Sequence, residues 1–475
     1  FARRAAEQTN ALLSSTLGSR VQTAAVEADA TAAVEIANTL GWERKEVLIL
    51  DRVVAHDTVV VVDRAGAPVP FQRLADGGLA FRAPPVPGFG TTQVRLVRDE
   101  EESGDAAEFQ GVRAEAGSRI VLDNGVLQLG LDPLTGRIVS LRRIDGSGPS
   151  RDLVPPREEL LEWLYVPGRD PETAQSAGAG SVEVTDAGPL VWRAVVRRDA
   201  PGTRDGITTT IRLVEGSDRI EFEVRFDKER TLEPEAVLLR FPAAIASGSA
   251  VRVIGGAWSP FEAETDQAPG ANRNYYTVER WADVHDRAGG FTLVSVDAPL
   301  VQLGSTGTDP IVAGGRERVD PAPVLYSYLM NNYWETNYRA EQEGPHAIRY
   351  VLRPHLGFEV SSAERLGLES AHPLLAYRVR TDLPQLEPPV VVEAEHAVVE
   401  LLRRTADSLE LRLFNPSGHS DTVGISVPGR PRAAPVRAGF WGPGVAGDTS
   451  AEKTLVVRPG EILTVRIPLA QASDN

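Results

Sequence analysis

The sequence predicts a mainly β chain made of several sandwiches, opened by a single helix. Three observations carry this reading. Ile220, Phe222, Val224 and Phe226 are interleaved with Glu221, Glu223 and Arg225, the period-two pattern of a strand with one buried face. The 43 glycines and 34 prolines interrupt such runs at short intervals, which suits antiparallel sandwiches better than a wound sheet. No stretch alternates strand with helix in the βαβ manner. At 475 residues the chain has room for about three domains of roughly 150 residues each.

Taken in order, Ala2 to Leu17 lacks Pro and Gly. Ala6, Leu13 and Leu17, with Ala5 and Leu12 beside them, form a stripe at helical spacing that Gly18 ends. Residues 1–18 are therefore expected to be one helix whose apolar side needs a partner. Residues 19–105 read as a small β-sandwich. The acidic run Asp99–Glu102, followed by Ser103 and Gly104, is a solvated linker by composition. Residues 106–385 are too many for a small immunoglobulin-like sandwich and suit one large two-sheet supersandwich. Near its start Leu127, Leu129 and Leu131 alternate ahead of a DPLTG turn, Asp132–Gly136. Proline and glutamate break the pattern at Pro384–Pro389. Residues 386–475 then make a last small β-sandwich, with alternation at Leu409, Leu411 and Leu413 and at Leu463, Val465 and Ile467. No internal repeat is evident.

Composition removes several function classes. With no cysteine there are no disulfides, thiolate nucleophiles or cysteine-ligated metals. A net charge of -16 without a basic cluster repels phosphate backbones, so no nucleic-acid partner is expected. No apolar run approaches the ~20 residues of a spanning helix, so no membrane segment is expected. Lys45, Lys228 and Lys453 are the only lysines among 50 basic residues, a bias typical of GC-rich bacterial genomes. The chain begins at Phe1 with no signal-peptide pattern. The expectation is a processed terminus or a piece of a longer protein.

With no cysteine, the seven histidines are the first candidates for metal ligands. No His-x-x-x-His pair occurs, and none of the seven belongs to a convergent zinc-ligand set. His346 and His355 are an odd number of residues apart, which on a regular strand places them on opposite faces. His56–Asp57 and His285–Asp286 are neighbours whose side chains diverge in a strand. Each histidine is expected to be a surface or hydrogen-bonded residue, and no metal ligand is assigned. There is no nucleophile elbow, no P-loop and no GxGxxG opening a helix, so no catalytic residue is assigned. For an epimerase-type acid–base pair, Glu341 and Glu343 near His346 would be the nearest candidates.

One segment has the chemistry of a sugar contact: NNYWETNY, Asn331 to Tyr338. If extended, Asn331, Tyr333, Glu335 and Asn337 share one face, and Asn332, Trp334, Thr336 and Tyr338 the other. Either face sets an aromatic ring beside amide or hydroxyl groups, as pyranose recognition requires. Asn331, Asn332, Trp334, Asn337 and Tyr338 are the candidate substrate-binding residues. The competing reading is a polar turn whose amides bond the backbone.

The order of segments resembles the C-terminal, β-rich half of glycoside hydrolase family 38, the α-mannosidases. VEIANTLGWERKEVLIL (Val34–Leu50), VPFQ (Val69–Gln72) and APPVPGFGTTQVRL (Ala83–Leu96) are similar to the family's first sandwich. LDNGVLQLGLDPLTGRIVSLRR (Leu122–Arg143) resembles the opening of its galactose-mutarotase-like supersandwich. VERWADVHD (Val278–Asp286), GGFTLVSVDAP (Gly289–Pro299), the NNYWETNY segment and IRYVLRPH (Ile348–His355) follow in order. LRLFNPSG (Leu411–Gly418) is similar to the last sandwich. The helix 2–17 would then be the last of the family's three-helix bundle.

The resemblance implies a retaining zinc glycosidase whose His-x-Asp metal pair and aspartate nucleophile sit in an N-terminal barrel. No such barrel is read in this sequence, so no cofactor is assigned to this chain and zinc is expected in the missing catalytic domain. The implied partners are that barrel, the helical bundle and mannose-containing glycans. Two readings follow: a pocket-forming portion of an α-mannosidase, inactive alone, or a free-standing carbohydrate-binding protein without catalysis. An epimerase or lyase acting through the mutarotase-like domain is a third.

Overall fold

A computed structural model describes residues 32–51, 59–98, 112–115, 119–144, 146, 151–256, 259–307, 316–333, 341–379, 384–430, 435–439 and 454–469. The expected helix 2–17 and the acidic run Asp99–Glu102 lie outside these residues. The chain divides into two compact units, Glu108–Ala371 and a second made of Phe1–Ala107 with His372–Asn475.

The Glu108–Ala371 unit is built on a nine-stranded sheet. Its order is Gly180–Ala187, Val191–Arg198, Thr203–Val214, Ile220–Lys228, Gly344–His355, Gly289–Ser295, Trp281–Asp286, Val251–Gly256 and Ser259–Glu262. A six-stranded sheet contains Glu162–Pro167, Glu235–Pro242 and Val324–Asn331 as neighbours. Trp163, Leu239, Phe241 and Leu325 from the smaller sheet share one core with Phe222, Phe226, Phe291 and Tyr350 from the larger. Each such side chain, taken wholly from water, is worth about 1.5–3 kcal/mol. The strand alternation predicts such sheet-on-sheet packing, and a further four-stranded sheet, in the order Ile138–Arg143, Leu127–Leu131, Arg119–Asp123 and Val112–Glu115, adds to the same core.

Ile220, Phe222, Val224 and Phe226 all turn into that core, as do Leu127, Leu129 and Leu131. The DPLTG turn forms as read. The Asp132 carboxylate accepts the Leu134 N–H at 2.8 Å, the Gly136 N–H donates to the Asp132 carbonyl at 2.8 Å, and Gly136 has φ +72°, a conformation that favours glycine.

Two details depart from the sequence reading. A helix, α1, spans Val360–Ala371 where only strands were expected. Its pattern is blurred by Gly367, a poor helix former. A Cβ there would lie 2.8 Å from Arg280 Cβ and 3.2 Å from Trp281 Cδ1, so glycine is needed to seat the helix on the sheet. Second, the large unit ends at Ala371 rather than near residue 385. The strand Leu375–Val379 pairs with Ala32–Ala37 in the other unit's first sheet. Backbone pairing between segments some 340 positions apart leaves no local mark in the sequence.

The second unit holds two sandwiches. Val34, Ile36, Val94 and Leu96 face Leu79 and Phe81 in the first. In the last, Leu411, Leu413, Val465 and Ile467 pack with Val423, Ile425, Leu455 and Val457, so the late alternations also mark buried faces. No helix among the described residues is long and apolar enough to cross a membrane.

Candidate functional site

Three of the segments singled out in the sequence are neighbours in space. VERWADVHD ends in the strand Trp281–Asp286, GGFTLVSV contains Gly289–Ser295, and IRYVLRPH ends the strand Gly344–His355; the second lies between the other two. Antiparallel register then sets three rows across them: Trp281, Val294 and Val351; Asp283, Thr292 and Arg353; His285, Gly290 and His355. Directly opposed residues share a sheet face. The first row packs with Ala363 and Leu366 of α1, and Glu364 of that helix accepts the Trp281 indole N–H at 2.9 Å and an Arg280 N–H at 2.5 Å.

The next two rows form a polar network around Asp283, which is 0% exposed. One carboxylate oxygen lies 2.7 Å from His285 Nδ1. The other lies 2.8 Å from His355 Nε2 and accepts the Thr292 hydroxyl at 2.6 Å. Burial pushes the Asp283 carboxyl up, but the hydrogen bonds from His285, His355 and Thr292 outweigh it and hold the group below its ordinary value. Phe358 stacks on the His285 ring at 4.9 Å. Gly290 is what lets its strand close up against the strand that carries His285. A Cβ there would fall 2.0 Å from the Val284 carbonyl oxygen and 2.6 Å from His285 Cα.

Sequence reasoning missed this convergence because it compared histidines along the chain. His285 and His355 are 70 positions apart and meet only through the intervening strand. The available signal was the pair Gly289–Gly290 at a strand start, since a glycine inside a strand marks close approach. The neighbours His285 and Asp286 do diverge: Asp286 pairs with Arg151 at 2.9 Å. His346 stacks on Phe226 at 5.2 Å, and Glu341 pairs with Arg230 at 3.5 Å.

Of the candidate sugar-binding residues, Trp334, Asn337 and Tyr338 lie outside the described residues. Asn331 ends the strand Val324–Asn331 and its side-chain oxygen accepts the Tyr333 N–H at 3.2 Å. The Asn332 side chain accepts the Glu235 N–H and donates to the Glu233 carbonyl, both at 2.6 Å. Both amides thus make the backbone contacts of the turn reading, and Asn332 ties the strand end to its neighbour.

Beneath this turn Lys228, 1% exposed, is held at 2.8 and 3.0 Å by the two Glu235 carboxylate oxygens and at 2.8 Å by the Glu229 carbonyl. Tyr165 lies over the pair, and burial together with the Glu235 carboxylate pushes its hydroxyl up to about 12. Tyr333 stacks with the Arg169 guanidinium at 5.2 Å.

The zinc that the resemblance implies does not fit these residues. Among the described residues no group of three His, Cys, Asp or Glu side chains is placed to hold a metal. In the nearest arrangement, both Asp283 oxygens are occupied by imidazole nitrogens, so the three side chains bind one another instead of converging on a point.

Residues 122–298 match the model of the glycosyl hydrolases family 38 C-terminal domain. A protein of glycosyl hydrolase family 38 from Enterococcus faecalis resembles the chain with a TM-score of 0.66 and 14% identity, over 92% of this chain and 58% of that one. An alpha-mannosidase from Enterococcus faecalis V583 does so with a TM-score of 0.67 and 13% identity, over 95% of this chain and 58% of that one. At these identities the likeness is one of fold. The chain spans 58% of the length of each. No curated protein sequence matches it. The family-model match takes in Asp283, His285, Gly290 and Thr292 and ends before the strand that supplies Arg353 and His355.

Proposed function

We propose that this chain is the β-rich portion of an α-mannosidase, in which a zinc-bearing barrel outside these 475 residues carries out retaining hydrolysis. The observation that carries the proposal is the family 38 C-terminal match, joined to a fold likeness that takes in nearly all of this chain and 58% of two family 38 proteins. Retaining hydrolysis needs a cleft closed to water and hydrogen bonds to sugar hydroxyls that strengthen in the transition state. A β-rich wall set against a barrel supplies both. In this reading the segment 331–338 faces the sugar. Asn332 fixes its start to the strand Glu235–Pro242, while Asn331, Trp334, Asn337 and Tyr338 offer ring and amide contacts.

The test compares two polypeptides on an aryl α-mannoside with added zinc: these 475 residues, and the product of the same reading frame extended upstream. Turnover only by the longer product is expected. Turnover by the 475-residue chain alone would overturn the proposal. A frame that encodes no barrel upstream, combined with mannoside binding by this chain in calorimetry, would favour the free-standing carbohydrate-binding protein.

A further inference from the structure

A cavity of about 280 Å³ opens beside the Asp283 network, lined by Arg143, Asp218, Thr292, Arg353, His355 and Ser362 among others. Its volume is near the lower end of small-molecule pockets, ~300 Å³. All of these residues lie within the Glu108–Ala371 unit.

The cavity is lined by two guanidinium groups, Arg143 and Arg353, and two carboxylates, Asp218 and Glu359. Arg353 is part-buried, and the single hydrogen-bond partner of its side chain among the described residues is the Ser362 hydroxyl at 2.8 Å. No carboxylate among the described residues lies within ion-pair distance of it. Burial pulls its guanidinium below the ordinary value, Asp218 and Glu369 oppose this from a distance, and Arg219 adds to it. A guanidinium withdrawn from water without a bonded anion is costly to keep. Arg143 nearby donates to the Pro354 carbonyl at 3.3 Å and pairs with Asp218 at 3.7 Å. His355 adds a second unsettled group. Its Nε2 is fixed on Asp283, while its Nδ1 is buried with no hydrogen-bond partner. The cavity also meets the first turn of α1 at Glu359 and Ser362, the positive end of that helix.

We propose that this cavity binds a small hydroxylated oxyanion, a carboxylate or phosphate carried on a monosaccharide-sized polyol. Arg353 and Arg143 meet the oxyanion, with the Ser362 hydroxyl free to donate because its oxygen already accepts from Arg353. Asp218 and Glu359 at the rim accept from the ligand's hydroxyls, which a bare inorganic anion would lack. The two carboxylates therefore select against simple anions and for a ligand with both kinds of group. The inference stands on the cavity and does not depend on the mannosidase reading.

Calorimetric titration of the full chain with D-glucuronate, glucose 6-phosphate and inorganic phosphate tests it. Saturable binding of at least one of the two hydroxylated anions is expected, tighter than that of inorganic phosphate. Arg353→Gln, which keeps a donor for Ser362, should weaken it about tenfold or more, the loss of one charge-assisted bond. The same variant should melt no lower than the native protein, since it removes a part-buried charge that has no ion pair among the described residues. Ser362→Ala, which leaves the guanidinium, should weaken binding less than Arg353→Gln. No saturable heat with any of the three, or Arg353→Gln binding as tightly as native, would overturn the site. Inorganic phosphate binding as tightly as the hydroxylated anions would overturn the ligand class.

Discussion

Replacing Asp283 probes the network that three separated segments build together. Its carboxylate takes two donors on one oxygen and one on the other, at 2.6, 2.8 and 2.7 Å. Asparagine keeps one oxygen for Thr292 and His355 but turns an amide N–H₂ toward His285 and removes the charge assistance. Against charged hydrogen bonds of about 1.5–3 kcal/mol each, partly offset by the relief of burying no charge, the expected cost is about 2 kcal/mol. Alanine leaves a hydroxyl and two imidazoles unpaired in a buried place, and should cost about 4 kcal/mol.

At ~2–4 °C per kcal/mol for a unit of this size, calorimetric melting should show drops of about 6 and 12 °C. Because the folded-state pKa of Asp283 is lowered, its contribution is fully present above the unfolded carboxylate range and is lost as pH falls through the folded value. The gap between native and Asp283→Asn should therefore be full at neutral pH and close in acid, below about pH 4. An Asp283→Ala variant within about 1 kcal/mol of native, or a gap independent of pH, would refute the reasoning.

Gly290→Ala should destabilise by more than the usual ~1–3 kcal/mol of overpacking, since the new Cβ meets backbone atoms of Val284 and His285. Denaturant midpoints would show it, and a native-like midpoint would mean the strands spread freely. Lys228→Met strands the Glu235 carboxylate, 8% exposed, and should cost about 3–5 kcal/mol. Adding Glu235→Gln should recover much of that loss, a coupling that a double-mutant cycle measures directly. Asn332→Ala removes both backbone ties at 2.6 Å and should cost about 1–2 kcal/mol in urea unfolding.

Much was legible along the chain because a half-buried strand imposes a two-residue period on its own sequence. Ile220–Phe226, Leu127–Leu131, Leu409–Leu413 and Leu463–Ile467 all bury the faces their alternation marks. The order of segments also carried the family 38 resemblance, which the domain match over 122–298 supports. The tertiary structure alone decided what depends on contacts between distant segments. It joined Leu375–Val379 to Ala32–Ala37, seated a glycine-containing helix on the sheet, and brought His285 and His355 onto one aspartate across an intervening glycine. Periodicity records which way a side chain points from its own strand. Strand order and register choose its neighbour, and those are set by the whole packed sheet.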